Sequence, residues 1–254
     1  MMISRQVKLK EIIYKNGNIE LKRLQELFPD VSPMTLHRDL RTLEEHGLIT
    51  RVRGGAIARE ELIPAAEGTF NRRMLEQVAE KQQIGKLAVK FAKEEYALYM
   101  DSGTTMTYFA QQLPDQNFAV VTNAPNIAAA LCAKAHVRIN LIGGTVNNST
   151  VSVSGSSALD MLLQINIDTA FMSASGWSET AGFTTGRIDE ANLKAAVIKK
   201  ANRCIMLMDS SKAGKCLPYT FAQMEDCDVI ITNAPLPKNV MQAAKEAGTE
   251  IVYK

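Results

Sequence analysis

The stretch Ser32-Pro33-Met34-Thr35-Leu36-His37-Arg38-Asp39-Leu40-Arg41-Thr42-Leu43 decides how the first quarter of the chain is read. Serine is a favoured N-cap and proline suits the first helical position, so the spacing predicts a helix that starts at Ser32 and ends at Gly47. At about 100° per residue, Leu36, Leu40 and Leu43 form one buried stripe. Met34, Arg38 and Arg41 project on the opposite side, flanked by Thr35 and His37. Upstream, Leu9, Ile12 and Ile13 repeat at helical spacing as far as Asn16-Gly17, and Leu21, Leu24, Leu27 and Phe28 mark a short second helix that Pro29-Asp30 stops. Downstream, Leu48–Arg53 alternates like a strand and Gly54-Gly55 makes a turn. Short helix, tight turn, basic-faced helix and hairpin together read as a winged helix-turn-helix domain over residues 1–58.

In that reading Ser32, Met34, Thr35, His37, Arg38 and Arg41 lie on or beside the face that enters the major groove. Arg51 and Arg53 sit on the wing, where they reach the DNA backbone or the minor groove. Arginine binds guanine edges bidentately, and threonine and histidine donate to phosphates or bases. Two other readings fit the same spacing: a small bundle with solvated arginines, or a helix-turn-helix used for protein contact.

Charge distribution agrees with a nucleic-acid partner for this region. The 254 residues carry a net charge of +2, but residues 1–60 hold 11 Lys+Arg against 8 Asp+Glu, which leaves the remainder at −1. Nothing approaches an uninterrupted apolar membrane span, and the N-terminus turns charged at once, so a cytoplasmic protein is expected. Cys132, Cys204, Cys216 and Cys227 form no Cys-x-x-Cys pair and have no histidine nearby in sequence; they read as reduced thiols, with no metal site.

Residues 59–69 read as a linker, and from Phe70 to Lys254 the grammar changes. Strand-like runs Tyr96–Met100, Phe118–Thr122, Val137–Ile142, Thr169–Ser173, Cys204–Met208 and Val229–Thr232 alternate with helical stretches such as Pro125–Lys134, Ser157–Ile165 and Glu190–Ala201. That alternation predicts an open, mainly parallel α/β sheet covered by helices. Ligands bind such sheets at the carboxyl ends of the strands. There the sequence offers Asp101-Ser102-Gly103-Thr104-Thr105 running into a helix, Thr122-Asn123, Gly143-Gly144, and Asp209 with Lys212. Backbone N–H groups and hydroxyls at a helix start favour an anion such as phosphate, and the carboxylates suit sugar hydroxyls. Lys212 and Lys194 add positive charge.

Ser32-x-x-Thr35-Leu36-His37-Arg38-Asp39-Leu40, then Leu43-Glu44-x-x-Gly47, then Arg51-Val52-Arg53-Gly54-Gly55-Ala56, resembles the signature of DeoR-type transcriptional regulators. His37 departs from it, standing where the family usually carries a second arginine. The resemblance continues through Phe70-Asn71-Arg72-Arg73, Lys81 with Ile84, the Asp101–Thr105 loop, Thr122-Asn123, Ile142-Gly143-Gly144, Ser154-Gly155, Phe171 with Gly176, Lys194, and Asp209-Ser210-Ser211-Lys212. Thr232-Asn233 departs again, where an aspartate commonly follows the threonine. The resemblance implies a sensor domain with a fold similar to ribose-5-phosphate isomerase, a phosphorylated sugar as effector, operator DNA as partner, and a homodimer or homotetramer that represses a sugar-utilisation operon.

The competing expectation is a sugar-phosphate isomerase with a DNA-binding appendage. Asp101, Asp168, Asp209, Lys194 and Lys212 supply candidate groups, but no paired carboxylates with a Gly-rich lysine loop are visible. His37 and His46 belong to the DNA-binding region, and His136 precedes a strand as a structural or exposed residue. Binding without turnover, with no catalytic residue and no cofactor, is therefore expected.

Overall fold

The computed structural model describes residues 4–16, 18–45, 48–58 and 70–254. The expected helix ends at Gly17 and Gly47, His46, and the expected linker 59–69 lie outside the described residues. Contacts divide the chain into two units, Met1–Gly68 and Thr69–Lys254.

The first unit runs α1 (Ser4–Asn16), β1 (Asn18–Glu20), α2 (Leu21–Leu27), α3 (Pro33–Glu45), β2 (Ile49–Val52) and β3 (Gly55–Ala58). Leu36, Leu40 and Leu43 of α3 are buried against Leu9 and Ile13 of α1 and Leu24 of α2. Each such side chain contributes roughly 1.5–3 kcal/mol by leaving water. The antiparallel hairpin β2–β3 is the wing, and β1 adds a third strand to it in the order β1-β3-β2. The short strand β1 was not expected; three residues are too few to show a period.

The second unit continues with α4 (Phe70–Leu75), α5 (Val78–Val89), β4 (Ala97–Met100), α6 (Thr104–Gln112), β5 (Ala119–Thr122), α7 (Pro125–Leu131), β6 (Arg138–Leu141), β7 (Thr145–Asn147) and β8 (Ser152–Ser154). It is completed by α8 (Ser156–Leu163), β9 (Ile167–Ser173), β10 (Gly176–Ser178), β11 (Gly182–Thr185), α9 (Ile188–Lys200), β12 (Ala201–Leu207), β13 (Tyr219–Ala222), β14 (Val229–Ile231), α10 (Lys238–Ala247) and β15 (Glu250–Val252). Seven strands form one sheet in the order β15-β14-β12-β9-β4-β5-β6, and every pairing in it is parallel.

Alternation along the strands sends side chains to two cores. Leu98, Met100, Val120, Phe171 and Ile205 pack against α5, α6 and α7, where the Phe109 and Phe171 rings lie 4.6 Å apart. Tyr99, Val121, Ala170, Met172 and Met206 pack against α8, α9 and α10. A three-stranded antiparallel sheet, β10-β11-β13, joins that second core through Trp177, Phe183 and Phe221. This small sheet, the hairpin β7–β8 and the edge strand β15 are additions to the six strands expected.

Strand order fixes where a ligand fits. From β4 the chain winds outward through β5 and β6; from β9 it winds the other way through β12, β14 and β15. The reversal falls between the neighbours β4 and β9, and open α/β sheets bind ligands beyond the carboxyl ends of the strands at such a switch point.

Candidate functional site

In the first unit, α3 presents Met34, His37, Arg38 and Arg41 to solvent, and Met34 is 79% exposed, which no core residue of this size would be. Ser32 and Thr35 are committed to starting the helix: Ser32 Oγ accepts the Thr35 N–H at 3.2 Å and shares a 2.9 Å bond with Thr35 Oγ1. Arg53 is exposed in the turn between β2 and β3. Arg51 is held by Glu44 of α3, which accepts the Arg51 backbone N–H at 2.8 Å and its Nε–H at 2.8 Å. These bonds, the backbone one first, hold the Glu44 carboxyl below the usual range. Asp39 faces inward and is buried; it accepts from Arg5 Nε at 2.6 Å and from Gln6 Nε2 at 3.0 Å, which fastens the start of α1 to α3.

In the second unit, the residues expected at the effector site line the carboxyl edge of adjacent strands: Asp209 after β12, Asp101 after β4, Asn123 after β5 and Gly143 after β6. Ser173 ends β9 between the first two. With about 4.8 Å between strands, this row spans roughly 19 Å. One small ligand therefore touches only part of it.

The switch point holds a buried charge cluster. Lys194 of α9 donates to Asp101 Oδ2 and, at 3.0 Å, to the Ser173 carbonyl; its Nζ lies 3.6 Å from Glu190 Oε1 and 5.3 Å above the Phe221 ring. Asp101 Oδ2 also accepts the Ser173 N–H at 2.9 Å. Ser173 Oγ–H lies 2.6 Å from the Ser102 carbonyl and 3.0 Å from Asp101 Oδ2, and donates to one at a time. Burial and the neighbouring Asp101 and Glu190 push the Tyr99 hydroxyl well above its ordinary pKa. The other Asp101 oxygen, Oδ1, is buried with no hydrogen-bond partner among the described residues.

The loop beside it runs straight into α6. Gly103 has φ +122°, and a Cβ there would stand 3.1 Å from Ser173 Oγ, so only glycine makes this turn without strain. Thr107 donates to the Gly103 carbonyl through both N–H and Oγ1, at 3.0 Å each. The first N–H groups of α6, at Thr104 and Thr105, have no acceptor within the helix and face an anion-favouring end. Ser102, Thr104 and Thr105 are themselves buried.

On the next strand, Asn123 Nδ2 donates to the Val153 carbonyl at 3.1 Å while its Oδ1 is buried and unpartnered among the described residues; Asn126 Oδ1 is the same. Thr122 Oγ1 accepts the Ala124 N–H at 3.1 Å at the start of α7. At Gly144, φ +148°, a Cβ would stand 2.7 Å from the Ser154 carbonyl oxygen, so the close approach of the two segments requires glycine; Gly143 is open. Asp209 caps the 3-10 turn Ser210–Lys212 by accepting the Ser211 N–H at 3.1 Å, and Lys212 is half-buried beyond it.

Ser173, Glu190, Asn126 and Lys81 belong to this edge and were not among the expected site residues. Glu190 was legible from its i,i+4 spacing to Lys194. Ser173 carried no signal, because its role depends on β9 pairing with β4, which sequence order does not show. His136 lies on the surface with its N–H bonded to Asp115 at 2.8 Å. Among the described residues no cluster of histidine, cysteine or carboxylate side chains is placed to hold a metal ion, and no helix is long and apolar enough to cross a membrane.

A basic-faced helix-turn-helix in one unit and a buried polar site at the switch point of the other are the architecture of a transcriptional regulator with a sensor domain. Residues 5–61 match the DeoR-like helix-turn-helix domain and residues 76–234 match the DeoR C terminal sensor domain; the chain belongs to the DeoR family. It is 34% identical to an uncharacterized HTH-type transcriptional regulator of Haemophilus influenzae, with 97% of this chain and 95% of that one covered. It is 32% identical to the HTH-type transcriptional regulator IolR of Bacillus subtilis, with 97% of each covered, and 29% identical to the glycerol-3-phosphate regulon repressor of Escherichia coli, with 91% of each covered. These relatives put the chain among transcriptional regulators and not among enzymes. Ribose 5-phosphate isomerase A from Methanocaldococcus jannaschii is a distant likeness, with TM-score 0.39, 18% identity and 52% of this chain and 53% of that one covered.

Proposed function

We propose that this regulator represses a sugar-utilisation operon by binding operator DNA through α3 and the wing, and that a phosphorylated sugar bound at the ends of β9, β4 and β5 controls it. The observation that carries the reading is the pairing of opposite unmet needs at one place. The start of α6 offers N–H donors to a phosphate, and beside it Asp101 Oδ1 and Asn123 Oδ1 are buried acceptors with no donor among the described residues. Phosphate is all acceptor and sugar hydroxyls are donors, so a phosphorylated sugar meets both needs. The name of the glycerol-3-phosphate regulon repressor supports the same ligand class. The ligand centres on Asp101, Ser102, Gly103, Thr104, Thr105 and Asn123, with Lys194 holding Asp101 in place beneath it. Thr122, Gly143, Gly144, Asp209 and Lys212 form the flanks.

On the DNA side, Met34, His37, Arg38 and Arg41 contact bases or phosphates, Ser32 and Thr35 set the start of the reading helix, and Arg51 and Arg53 carry the wing. The regulator acts as a homodimer or homotetramer, which presents two reading helices to a repeated operator. Effector and operator are linked: whichever state the sugar phosphate binds more tightly sets whether DNA is released.

A thermal-shift screen against phosphorylated sugars, with free sugars and inorganic phosphate as controls, tests the sensor reading. A phosphorylated sugar that raises Tm more than its free sugar, with the gain lost in Thr104→Ala, is the expected result. A gain from free sugars alone, or one that Thr104→Ala leaves intact, contradicts it.

A further inference from the structure

Lys81 is a charged residue almost wholly inside the protein, and neither the DNA-reading surface nor the effector loop uses it. It lies near the start of α5, a helix whose C-terminal end leads into β4, so its N-terminal end stands at the carboxyl edge of the sheet. Lys81 is 3% exposed. Its ammonium donates to the Glu76 carbonyl at 2.6 Å and to the Arg73 carbonyl. An ammonium has three protons, and these bonds use two. Arg73 lies in the last turn of α4 and Glu76 directly follows it; α4 is a helix of six residues with no buried side chain. The Tyr108 hydroxyl of α6 donates to the Met74 carbonyl at 3.0 Å, and the Phe70 N–H bonds the Ser149 carbonyl at 2.9 Å. A helix this short does not persist on its own propensity. Its order comes from ties such as these and from the Arg72–Glu76 ion pair at 2.8 Å, and Lys81 supplies a charged tie from α5.

The start of α5 is also tied to the turn that follows β12. Two residues after Lys81, Gln83 Nε2 bonds the Asn233 carbonyl at 3.1 Å, and Asn233 Oδ1 accepts the Ser210 N–H at 2.9 Å. This fastens α5 to the turn that carries Lys212. Burial, first, lowers the Lys81 pKa to about 8; Lys212 and Arg73 repel its charge, while Asp209 and Glu76 attract it. Lysines from two elements are thus brought within electrostatic reach of each other at the edge where an anion is proposed to bind.

We propose that Lys81 is shared between the anion site and α4: an anion arriving at the carboxyl edge draws the ammonium toward itself and loosens its grip on the Arg73 and Glu76 carbonyls. This rests on the anion site of the preceding section. It gives that site an output, because α4 is the first described element after residues 59–69, which lead from the DNA-binding unit. Binding at the sheet edge is converted into loss of order at the end of α4.

The test is hydrogen–deuterium exchange of the full-length protein with and without millimolar inorganic phosphate, with sodium chloride at equal ionic strength as control and thermal shift measured in parallel. Phosphate should raise Tm and speed exchange of the amides of Met74–Glu76 by about tenfold, as loss of a charge-assisted bond predicts. Lys81→Met should exchange fast there without phosphate and gain nothing from it. Tyr108→Phe, which removes one tie away from the anion edge, should raise the starting rate and keep the phosphate response. A phosphate-induced rise in Tm with unchanged or slower exchange at 74–76 overturns the shared lysine and leaves the anion site standing. No rise in Tm and no change in exchange overturns both.

Discussion

The two units solve the problem of presenting polar groups in opposite ways. In the DNA-binding unit, the apolar stripe of α3 is buried and Arg38, Arg41 and His37 are left in water. In the sensor unit the chemistry is inside: Asp101, Lys194 and Ser173 hold one another, and the loop Ser102–Thr105 is buried with them. Reading DNA calls for charges that a large polyanion can reach and whose counterions are released on contact. Recognising a small molecule calls for groups fixed in advance, because a loose donor spends binding energy on its own ordering. The first unit can therefore lose an exposed reading side chain without harm to its fold, and the second cannot lose a member of its buried charge cluster so cheaply.

The largest test of this contrast is Lys194→Met. It leaves the Asp101 and Glu190 carboxylates buried beside a missing cation, and breaking such a pair costs about 3–5 kcal/mol. Urea unfolding of the sensor transition should show the loss, and Asp101→Asn in the same chain should restore part of it. If Lys194→Met unfolds at the wild-type midpoint, the cluster is not what holds the switch point together.

A second test separates charge from fold within the sensor unit. With its pKa at about 8 against an ordinary 10.5, Lys81 is charged below pH 8 and neutral above it. Anion affinity is full below that point and falls as pH rises through it, by up to roughly 1.5–3 kcal/mol for one charge-assisted bond. The unliganded protein responds with the opposite sign. Between pH 8 and 10.5 the unfolded chain holds the proton that the folded one has released, so this group's contribution to stability rises over that window. A phosphate-induced rise in Tm that shrinks above pH 8 in wild type, but is flat with pH in Lys81→Met, is the expected pattern; equal pH profiles for the two remove Lys81 from the site.

In the first unit the expected loss is of binding alone. Arg38→Ala should weaken a duplex selected by the wild-type protein from a random pool by about 1–3 kcal/mol if the arginine reads a base. If it contacts phosphate, all duplexes weaken together and the salt slope drops by about one. In either case stability moves by no more than about 0.5 kcal/mol, since the side chain is exposed. A drop in stability as large as that of Lys194→Met would erase the difference between the units.

The same difference decided what could be read from the sequence. The reading helix is a local object: Ser32, Pro33 and the Leu36-Leu40-Leu43 stripe lie within a dozen residues, and period and cap chemistry disclose them. The Asp101 loop was also local, a glycine turn between a strand and a helix. What completes the sensor site is not local. Ser173 stands 72 positions from Asp101 and Lys194 stands 93 away, and only the reversal of strand order between β4 and β9 brings them together. The sequence offered Lys194 as a positive charge for the site, and the family resemblance offered it again, but neither placed it on Asp101. Asp39 shows the limit at short range: at about 100° per residue it lies beside the Leu43 edge of the buried stripe, but the groups that satisfy it there, Arg5 and Gln6, are on α1, and a one-helix reading has no term for a partner on another helix.

The smallest expected effect probes a place where the open unit borrows the method of the closed one. Glu44 grips Arg51 through backbone and side chain, so the wing strand is tied to the reading helix by a carboxylate about one-third exposed. Because those bonds lower the Glu44 pKa, the tie is complete above the ordinary carboxylate range and is lost as pH falls through the lowered value. In an NMR titration the Arg51 amide should follow a midpoint below 4.5, and in Glu44→Gln that step should vanish. Solvent exposure keeps the stability change small, but the wing's position depends on it, so Glu44→Gln should weaken DNA binding less than Arg38→Ala and mainly through Arg53 at the wing tip. If Glu44→Gln leaves DNA binding untouched, the wing is placed by the strand pairing of β2 with β3 alone; if it costs more than Arg38→Ala, preorganisation matters as much in the DNA-reading unit as in the sensor.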